Sequence, residues 1–158
     1  MRVTARGDYA LRAVVELAAS EGHQLKLEEL AGLQNLPPKY LETLLAELRR
    51  AGIVRAYRGS EGGYSLAKPA AEISVADVVR VVDGPLTDVR GERPEAVTYK
   101  GHAVALATVW LALRANERAI LEHVSVRDIA VGDLPETVVR LAESTTSGAL
   151  VKDGDHVG

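Results

Sequence analysis

The chain has 158 residues, 47% of them hydrophobic, enough for one compact domain or a small domain with an oligomerisation element. It contains no Cys and no Phe, so the core must be aliphatic, and disulfides, thiolate catalysis and Cys-ligated zinc are excluded. Its four His residues are scattered, so no metal site or other cofactor is expected. No segment approaches the roughly 20 apolar residues that span a bilayer, and the N-terminus lacks the apolar core of a signal peptide. We therefore expect a cytoplasmic protein without a membrane partner.

The net charge of −3 is unevenly distributed along the chain. Residues 1–69 contain 10 Lys and Arg against 8 Asp and Glu, whereas residues 70–158 contain 9 against 14. The local distribution says more about a nucleic-acid partner than the total does. An imbalance this small is also compatible with chance, so charge alone leaves nucleic-acid binding open.

Three short helices are predicted in the first part of the chain. Thr4 is a suitable N-cap for the first helix, and a second is expected over residues 27–33. Pro37 and Pro38 suit the first turn of a third helix, which runs to about residue 51 and ends at Gly52. The apolar positions that recur at helical spacing are Ala10, Leu11, Val14, Leu17, Ala18, Leu27, Leu30, Ala31, Tyr40, Leu41, Leu44, Leu45 and Leu48.

Two short strands follow, around residues 53–57 and 64–67, and a glycine-rich tip joins them. The tip reads Arg58-Gly59-Ser60-Glu61-Gly62-Gly63, so a tight turn presents a basic side chain. A helix followed by a basic hairpin is typical of a winged helix-turn-helix, in which the helix enters the major groove and the hairpin reaches a neighbouring groove. The expected fold is mainly α with a small β-hairpin wing.

The second part of the chain predicts a long helix after a long loop. Ser74, with Asp77 three residues later, marks a helix that ends near Gly84. Residues 85–101 show no periodicity, and a loop of this length is usually functional or disordered. A helix over about residues 102–124 would be about 35 Å long, more than a domain of about 70 residues covers. We therefore expect a second chain to cover the apolar face of this helix.

These elements predict four parts of the chain. They are a winged helix-turn-helix DNA-binding domain at 1–84, a loop and candidate effector region at 85–101, a dimerisation helix with C-terminal helices at 102–144, and a flexible tail at 145–158. The C-terminal helices are expected to start after Ser125 and at Pro135, the last of them ending near Ser144. The residues expected at the dimer interface are Val104, Ala107, Trp110, Leu111, Leu113, Ile120 and Leu121.

The order of Thr4, Tyr9-Ala10, Tyr40-Leu41-Glu42, the Arg-Gly-x-x-Gly-Gly-Tyr tip and Trp110 resembles one bacterial family. It is the winged-helix family of the iron–sulfur regulator IscR, the nitric-oxide sensor NsrR and the cysteine-metabolism repressor CymR, and the similarity covers about residues 1–130. The resemblance implies a homodimer whose long helices cross and whose winged-helix units read palindromic operators in double-stranded DNA.

The same resemblance implies a cluster-free branch of the family. Many members hold an iron–sulfur cluster on three cysteines, the last of which corresponds here to Val104. A histidine ligand of one branch corresponds to Ala107, and residues 85–101 contain neither Cys nor His. We therefore expect a transcription regulator, in the manner of a repressor, that responds to a small ligand or a partner protein.

The DNA-binding candidates lie on the third helix and at the hairpin tip. Glu42 faces away from the apolar side of its helix, a carboxylate can accept from cytosine N4, and the resemblance places a base-reading glutamate here. Arg58 beside Gly59 suits a narrow minor groove. Solvated surface charge for Glu42 and simple turn geometry for the glycines are the ordinary alternatives. The other candidates for base or phosphate contacts are Lys39, Tyr40, Thr43, Arg49, Arg50 and Ser60.

Arg90 and Arg93 in the loop, together with Trp110, are candidates for holding an anionic effector. Solvated loop charges and dimer packing are the ordinary alternatives for these residues. An enzyme is disfavoured, because the chain lacks a Ser-His-Asp set, a phosphate-binding GxxxxGK[ST] loop and an HExxH motif. A winged-helix module that binds protein without DNA remains the alternative function, although the pairing of Glu42 with Arg58 favours DNA.

Overall fold

The computed structural model describes residues 3–152, in which seven α-helices surround a core beside one two-stranded sheet. Short 3-10 turns span Ala70–Glu72 and Gly101–Ala103. The architecture confirms the expected mainly α fold with a hairpin wing. Among the described residues, no helix is both long and apolar enough to cross a membrane. The elements are α1 (Ala5–Ala19), α2 (Leu27–Gln34), α3 (Pro38–Arg50), β1 (Val54–Tyr57), β2 (Gly63–Leu66), α4 (Val75–Asp83), α5 (Leu106–Leu121), α6 (Val126–Val131) and α7 (Glu136–Lys152).

Local side-chain chemistry explains where several helices begin and end. The hydroxyl of Thr4 accepts the N–H of Gly7 at 3.0 Å and caps α1. At α4, Ser74 and Asp77 bond each other's backbone N–H at 3.1 and 2.9 Å, which confirms the predicted capping box. Asn35 adopts a left-handed φ of 51° and ends α2, so it makes the turn of the helix-turn-helix.

The main core lies between α1, α2, α3, α4 and α6. Leu41, Leu44, Leu45 and Leu48 of α3 are buried in it, and each fully buried leucine stabilises the fold by roughly 1.5–3 kcal/mol. These four side chains fix the rotation of α3, so the opposite side of the helix faces solvent. The other predicted apolar positions of α1 to α3 are buried in this core or pack against it: Ala10, Leu11, Val14, Leu17, Ala18, Leu27, Leu30, Ala31 and Tyr40.

The wing is an antiparallel hairpin in which Val54 pairs with Leu66 and Tyr57 pairs with Gly63. A third segment extends it, because Leu25 and Tyr64 exchange backbone hydrogen bonds of 3.0 and 2.8 Å. A Cβ on Gly63 would lie 2.7 Å from the carbonyl oxygen of Leu25, so glycine is required where the wing meets this segment. No pattern in the sequence indicated this pairing, which anchors the wing to the residues before α2.

The predicted long helix over residues 102–124 is wrong in length, since α5 has 16 residues and is about 24 Å long at 1.5 Å per residue. Gly101, with a φ of 59°, begins a 3-10 turn that precedes α5. At the other end, the carbonyl of Val124 accepts the N–H of Val75 at 2.9 Å. This backbone pairing takes Val124 out of the helix, because its carbonyl faces another part of the chain.

The last helix is longer than predicted. α7 runs from Glu136 to Lys152, so the expected end near Ser144 is wrong. The hydroxyls of Ser144, Thr145 and Thr146 bond to backbone carbonyls three or four residues earlier, which keeps polar side chains compatible with the helix. The rest of the predicted tail, residues 153–158, lies outside the described residues.

Candidate nucleic-acid interface

The solvent side of α3 presents three of the predicted DNA-binding side chains together. Lys39, Glu42 and Thr43 are exposed, whereas the leucines on the other side of the helix are buried. The hydroxyl of Thr43 donates to the carbonyl of Lys39 at 3.3 Å, which leaves the oxygen able to accept hydrogen bonds. This face therefore offers a cation, an acceptor-only carboxylate and a hydroxyl near the start of the helix.

Tyr40 does not belong to that face. Its ring meets Tyr9 of α1 edge-on, with ring centroids 5.9 Å apart, and the side chain is partly buried against the core. The guanidinium of Arg12 lies 5.6 Å from the centre of the Tyr9 ring. The ring of Tyr40 thus packs α3 against α1, which separates it from Lys39, Glu42 and Thr43.

The hairpin tip presents Arg58, Gly59 and Ser60 to solvent. The N–H of Gly62 donates to the carbonyl of Gly59 at 3.0 Å, and Gly59 has a φ of 95°. A Cβ on Gly62 would lie 2.4 Å from the carbonyl oxygen of Tyr57, so the turn closes only with glycine there. The tip is therefore a tight turn that holds an exposed arginine.

Two charged residues of α3 affect the pKa of a tyrosine in the wing. Burial raises the pKa of Tyr64 on β2, and the negative charge of Glu42 raises it further. The positive charge of Arg49 has the opposite effect on the same hydroxyl. The exposed end of α3 also borders the wing directly, because Arg49 lines one groove with Arg55 and Tyr57 of β1.

More basic residues flank this surface. Arg49 and Arg50 are exposed in the last turn of α3, and Arg50 Nε donates to the carbonyl of Ala46 at 3.3 Å. Arg55 on β1 lines a groove together with Arg49. Lys26, just before α2, lines a second groove with Gly59 and Ser60. Sequence reasoning did not select Lys26, since only the pairing of Leu25 with Tyr64 brings it beside the wing.

The expected dimerisation residues differ in how much of each side chain is exposed. Val104, Leu111 and Leu113 are exposed, and every residue of α5 keeps part of its surface accessible to solvent. Ala107, Trp110 and Ile120 are half-buried. Leu121 differs, because it packs within the same chain against a small cluster of Val75, Val79 and Val124. Two further exposed apolar residues, Leu106 and Val109, lie on the same helix.

The predicted effector residues do not form one site. The N–H of Trp110 donates to the hydroxyl of Tyr99 at 2.8 Å, and the guanidinium of Arg90 lies 6.0 Å from the centre of the Tyr99 ring. Tyr99 thus connects Arg90 with Trp110. Arg93 lies elsewhere, in a cleft that also contains Arg114 and that neither Arg90 nor Trp110 lines.

The family of the chain follows from the sequence over most of this fold. A family model described as "Rrf2: Iron-dependent Transcriptional regulator" matches residues 3–132. The chain belongs to the Rrf2 family. The match includes all elements from α1 to α6, while α7 lies beyond it.

Relatives and solved structures agree with this assignment. A candidate HTH-type transcriptional regulator of Mycobacterium tuberculosis is 47% identical over 156 residues, covering 94% of this chain and 97% of that protein. The solved structure of CymR, the global cysteine regulator of Bacillus subtilis, has a TM-score of 0.71 and 31% identity, covering 83% of this chain and 97% of that chain. The structure of T. potens IscR has a TM-score of 0.65 and 30% identity, covering 82% of this chain and 85% of that chain. These likenesses confirm the predicted resemblance, and this Rrf2 protein is a transcription regulator rather than an enzyme.

The donor set of this Rrf2 protein does not fit the iron of the family's description. Iron–sulfur clusters are held mainly by cysteine thiolates, and this chain contains no Cys. Among residues 3–152, no three or more His, Asp or Glu side chains come together in a group that could hold a metal ion.

Proposed function

We propose that this Rrf2 protein is a homodimeric repressor that binds a palindromic operator in double-stranded DNA. The observation that carries the proposal is that α3 exposes Glu42, the wing beside it exposes Arg58, and Arg49 and Arg55 line the groove where the two elements meet. A helix beside a basic hairpin matches the way winged helices engage adjacent grooves.

Within this interface, Glu42 reads sequence and Arg58 adds affinity. A carboxylate in the major groove accepts from the N4 amino group of cytosine, which only a C·G pair offers at that position. Arg58 at the wing tip enters the neighbouring minor groove, where a narrow groove concentrates negative potential. Lys26, Arg49, Arg50 and Arg55 flank the interface and contact phosphates, which position the protein without reading bases.

The second half of the chain supplies the dimer. Val109 on α5 is 52% exposed, and Val104 just before the helix is 57% exposed. Apolar surface exposed to this extent is typical of an association site. An isologous two-fold interface along α5 buries the same residues of both protomers. The same interface would hold the two α3 helices, one from each protomer, about one DNA turn apart, roughly 34–36 Å.

A small ligand or a partner protein controls the repressor in this proposal, and an iron–sulfur cluster does not. The absence of Cys from the chain supports this choice. The segment of residues 85–101 joins α4 to α5, so a change in it alters how the DNA-binding elements are held relative to the dimer helix. An effector shifts DNA affinity only by its differential affinity for the two arrangements.

Two substitutions distinguish the proposed roles of Glu42 and Arg58. Their effects are measured as binding affinity for genomic DNA fragments that were recovered with the wild-type protein. Arg58→Ala should weaken binding to all sequences and reduce the slope of affinity against salt concentration. Glu42→Ala should instead relax preference at one base pair of each half-site, by about 1–3 kcal/mol. Glu136→Ala, an exposed glutamate on α7, is the matched control and should change neither. An unchanged base preference in Glu42→Ala would remove the base-reading role.

Separate experiments test whether the protein is a dimer and whether it represses or activates transcription. Leu111→Asp should give a monomer in light scattering and lose operator binding, since a charge would be buried at the interface. A stable wild-type monomer at micromolar concentration would overturn the dimer. Transcription in vitro from a bound promoter should fall when the protein is added. Failure to retain any DNA would leave the protein-binding winged-helix module as the function.

A further inference from the structure

A cleft of about 310 Å³ opens where α4, the segment of residues 85–101 and α5 meet. Four arginines line it and come from three separate parts of the chain: Arg80 from α4, Arg93 from the segment, and Arg114 and Arg118 from α5. Leu86 and the hydroxyl-bearing Thr87 complete its inner wall together with Gly84 and Pro85. Among the described residues that line the cleft, none is a carboxylate.

Carboxylates that contact this cluster lie outside the lining. Glu117 accepts from the hydroxyl of Thr87. Glu122 accepts from Arg118 at 3.0 Å and also pairs with Arg80, while Glu95 pairs with Arg114. Each of these pairs uses part of a guanidinium, which carries five N–H donors. Arg93 forms no ion pair within 4.0 Å in the described part of the chain. The charged groups of the lining are therefore all cations, and within residues 3–152 no carboxylate lies within 4.0 Å of the Arg93 guanidinium.

Such a lining selects an anion with several acceptor oxygens. Guanidinium groups bind phosphate and carboxylate through paired hydrogen bonds and lose their hydration at low cost. The volume of the cleft lies at the lower end of the range of small-molecule sites, about 300–1,000 Å³. Pro85 and Leu86 give an organic portion an apolar surface to rest on.

We propose that this four-arginine cleft binds a small organic anion carrying at least two closely spaced negative charges, phosphorylated or polycarboxylic. Such an anion would connect Arg80 to Arg114 and Arg118, and hence α4 to α5. α4 packs against α1 and α3, whereas its contact with α5 is small. Occupancy of the cleft therefore adds contacts between the DNA-binding elements and the dimer helix.

The role of this anion as an effector rests on the proposed function, but its binding does not. Binding is therefore measured first, without DNA, by titrating sodium pyrophosphate or sodium citrate into the purified full chain in a calorimeter. Sodium chloride at matched ionic strength serves as the blank. Saturable binding of one anion per chain is expected, and the preferred probe identifies a phosphorylated or a polycarboxylic ligand. The absence of saturable binding for both probes would overturn the proposal.

The variant that tests the site is Arg93→Gln, because this arginine can be removed without breaking an ion pair. Binding should weaken at least about tenfold, as expected for a lost charge-assisted pair. Arg127→Gln, an exposed arginine on α6 outside the cleft, should bind like the wild type. Equal binding by Arg93→Gln and the wild type would place the anion elsewhere and overturn the proposal.

DNA titrations with and without the saturating anion then test the effector role. A change in operator affinity of at least about threefold is expected in the wild type and not in Arg93→Gln, since a ligand acts through differential binding. Unchanged affinity with a filled cleft would overturn the effector role. If the wild type retained no DNA at all, the proposed function would fail, while calorimetry would still decide whether the cleft binds anions.

Discussion

Gly62→Ala tests whether the tight wing turn depends on a missing side chain. A Cβ at this position would lie 2.4 Å from the carbonyl oxygen of Tyr57, 2.9 Å from the carbonyl carbon of Arg58 and 2.9 Å from the carbonyl oxygen of Gly59. All three atoms are backbone atoms of the same hairpin, so no flexible side chain can move aside. The turn must open, and the new position of Arg58 should weaken DNA binding.

The expected cost is that of overpacking a closed site, about 1–3 kcal/mol in the free energy of unfolding. In a domain of this size, each kcal/mol lowers the melting temperature by about 2–4 °C. Gly32→Ala is the matched control, because Gly32 lies within α2 with no atom within 4 Å of the added carbon. Alanine there should be neutral or stabilise the protein by up to about 1 kcal/mol.

Urea denaturation of both variants measures the difference, with equal slopes showing that the unfolded states are comparable. DNA titration at fixed salt then reports whether the wing has moved. If the free energy of unfolding of Gly62→Ala lay within about 0.3 kcal/mol of the wild-type value, while Gly32→Ala behaved as expected, the assigned turn geometry would be wrong.

Three further predictions concern helix ends and the segment before α5. Hydrogen bonds from two arginines, that of Arg80 first, lower the pKa of Glu122 from 4.5 to about 2. Because the pKa of Glu122 is lowered in the folded state, its ion pairs stabilise the fold at neutral pH, and this stabilisation is lost as pH falls from about 4.5 towards about 2. The difference in melting temperature between the wild type and Glu122→Gln should therefore shrink over that pH range. Ser125→Ala removes the hydroxyl that caps α6 and should cost about 1 kcal/mol in urea denaturation. Tyr99→Phe removes the acceptor of the Trp110 N–H, which should cost about 0.5–1.5 kcal/mol and shift the emission of the single tryptophan.

Each of these predictions has an outcome that contradicts it. A melting difference for Glu122→Gln that stayed constant down to pH 2 would argue against the pairing with arginine. Glu136→Gln, in a highly exposed pair with Arg140, is its control and should have little effect at any pH. Unchanged stability of Ser125→Ala would mean that the cap contributes nothing. Identical emission of Tyr99→Phe and the wild type would place the indole N–H in another environment.

The sequence was most informative where structure is determined locally. Thr4, Ser74 and Ser125 act through residues three positions away, so their helix starts could be predicted from short patterns. The leucines of α3 were likewise predictable, because their spacing alone selects one side of the helix. The exposed position of Glu42 followed from the same spacing.

Features set by distant residues escaped prediction. α5 ends where Val124 bonds to Val75, about fifty positions earlier in the chain, and no local signal near residue 121 announces it. Leu25 is joined to Tyr64 in the same way, which brings Lys26 beside the wing. The arginine cleft also needs three remote parts of the chain to meet. The sequence pattern suggested only the loop arginines, Arg90 and Arg93, as anion-binding candidates.

The backbone pairing at the start of α6 makes the DNA-binding unit discontinuous in sequence. Val126 is completely buried in the core that α1 and α3 share, and its N–H donates to the carbonyl of Ile73 at 2.9 Å. A fragment that stops at Gly84 would contain every proposed DNA contact but would leave part of α1 uncovered. We expect such a fragment to aggregate, because that surface is apolar. Isolating the DNA-binding unit therefore requires a shortened link that rejoins α4 to α6, in place of a simple truncation.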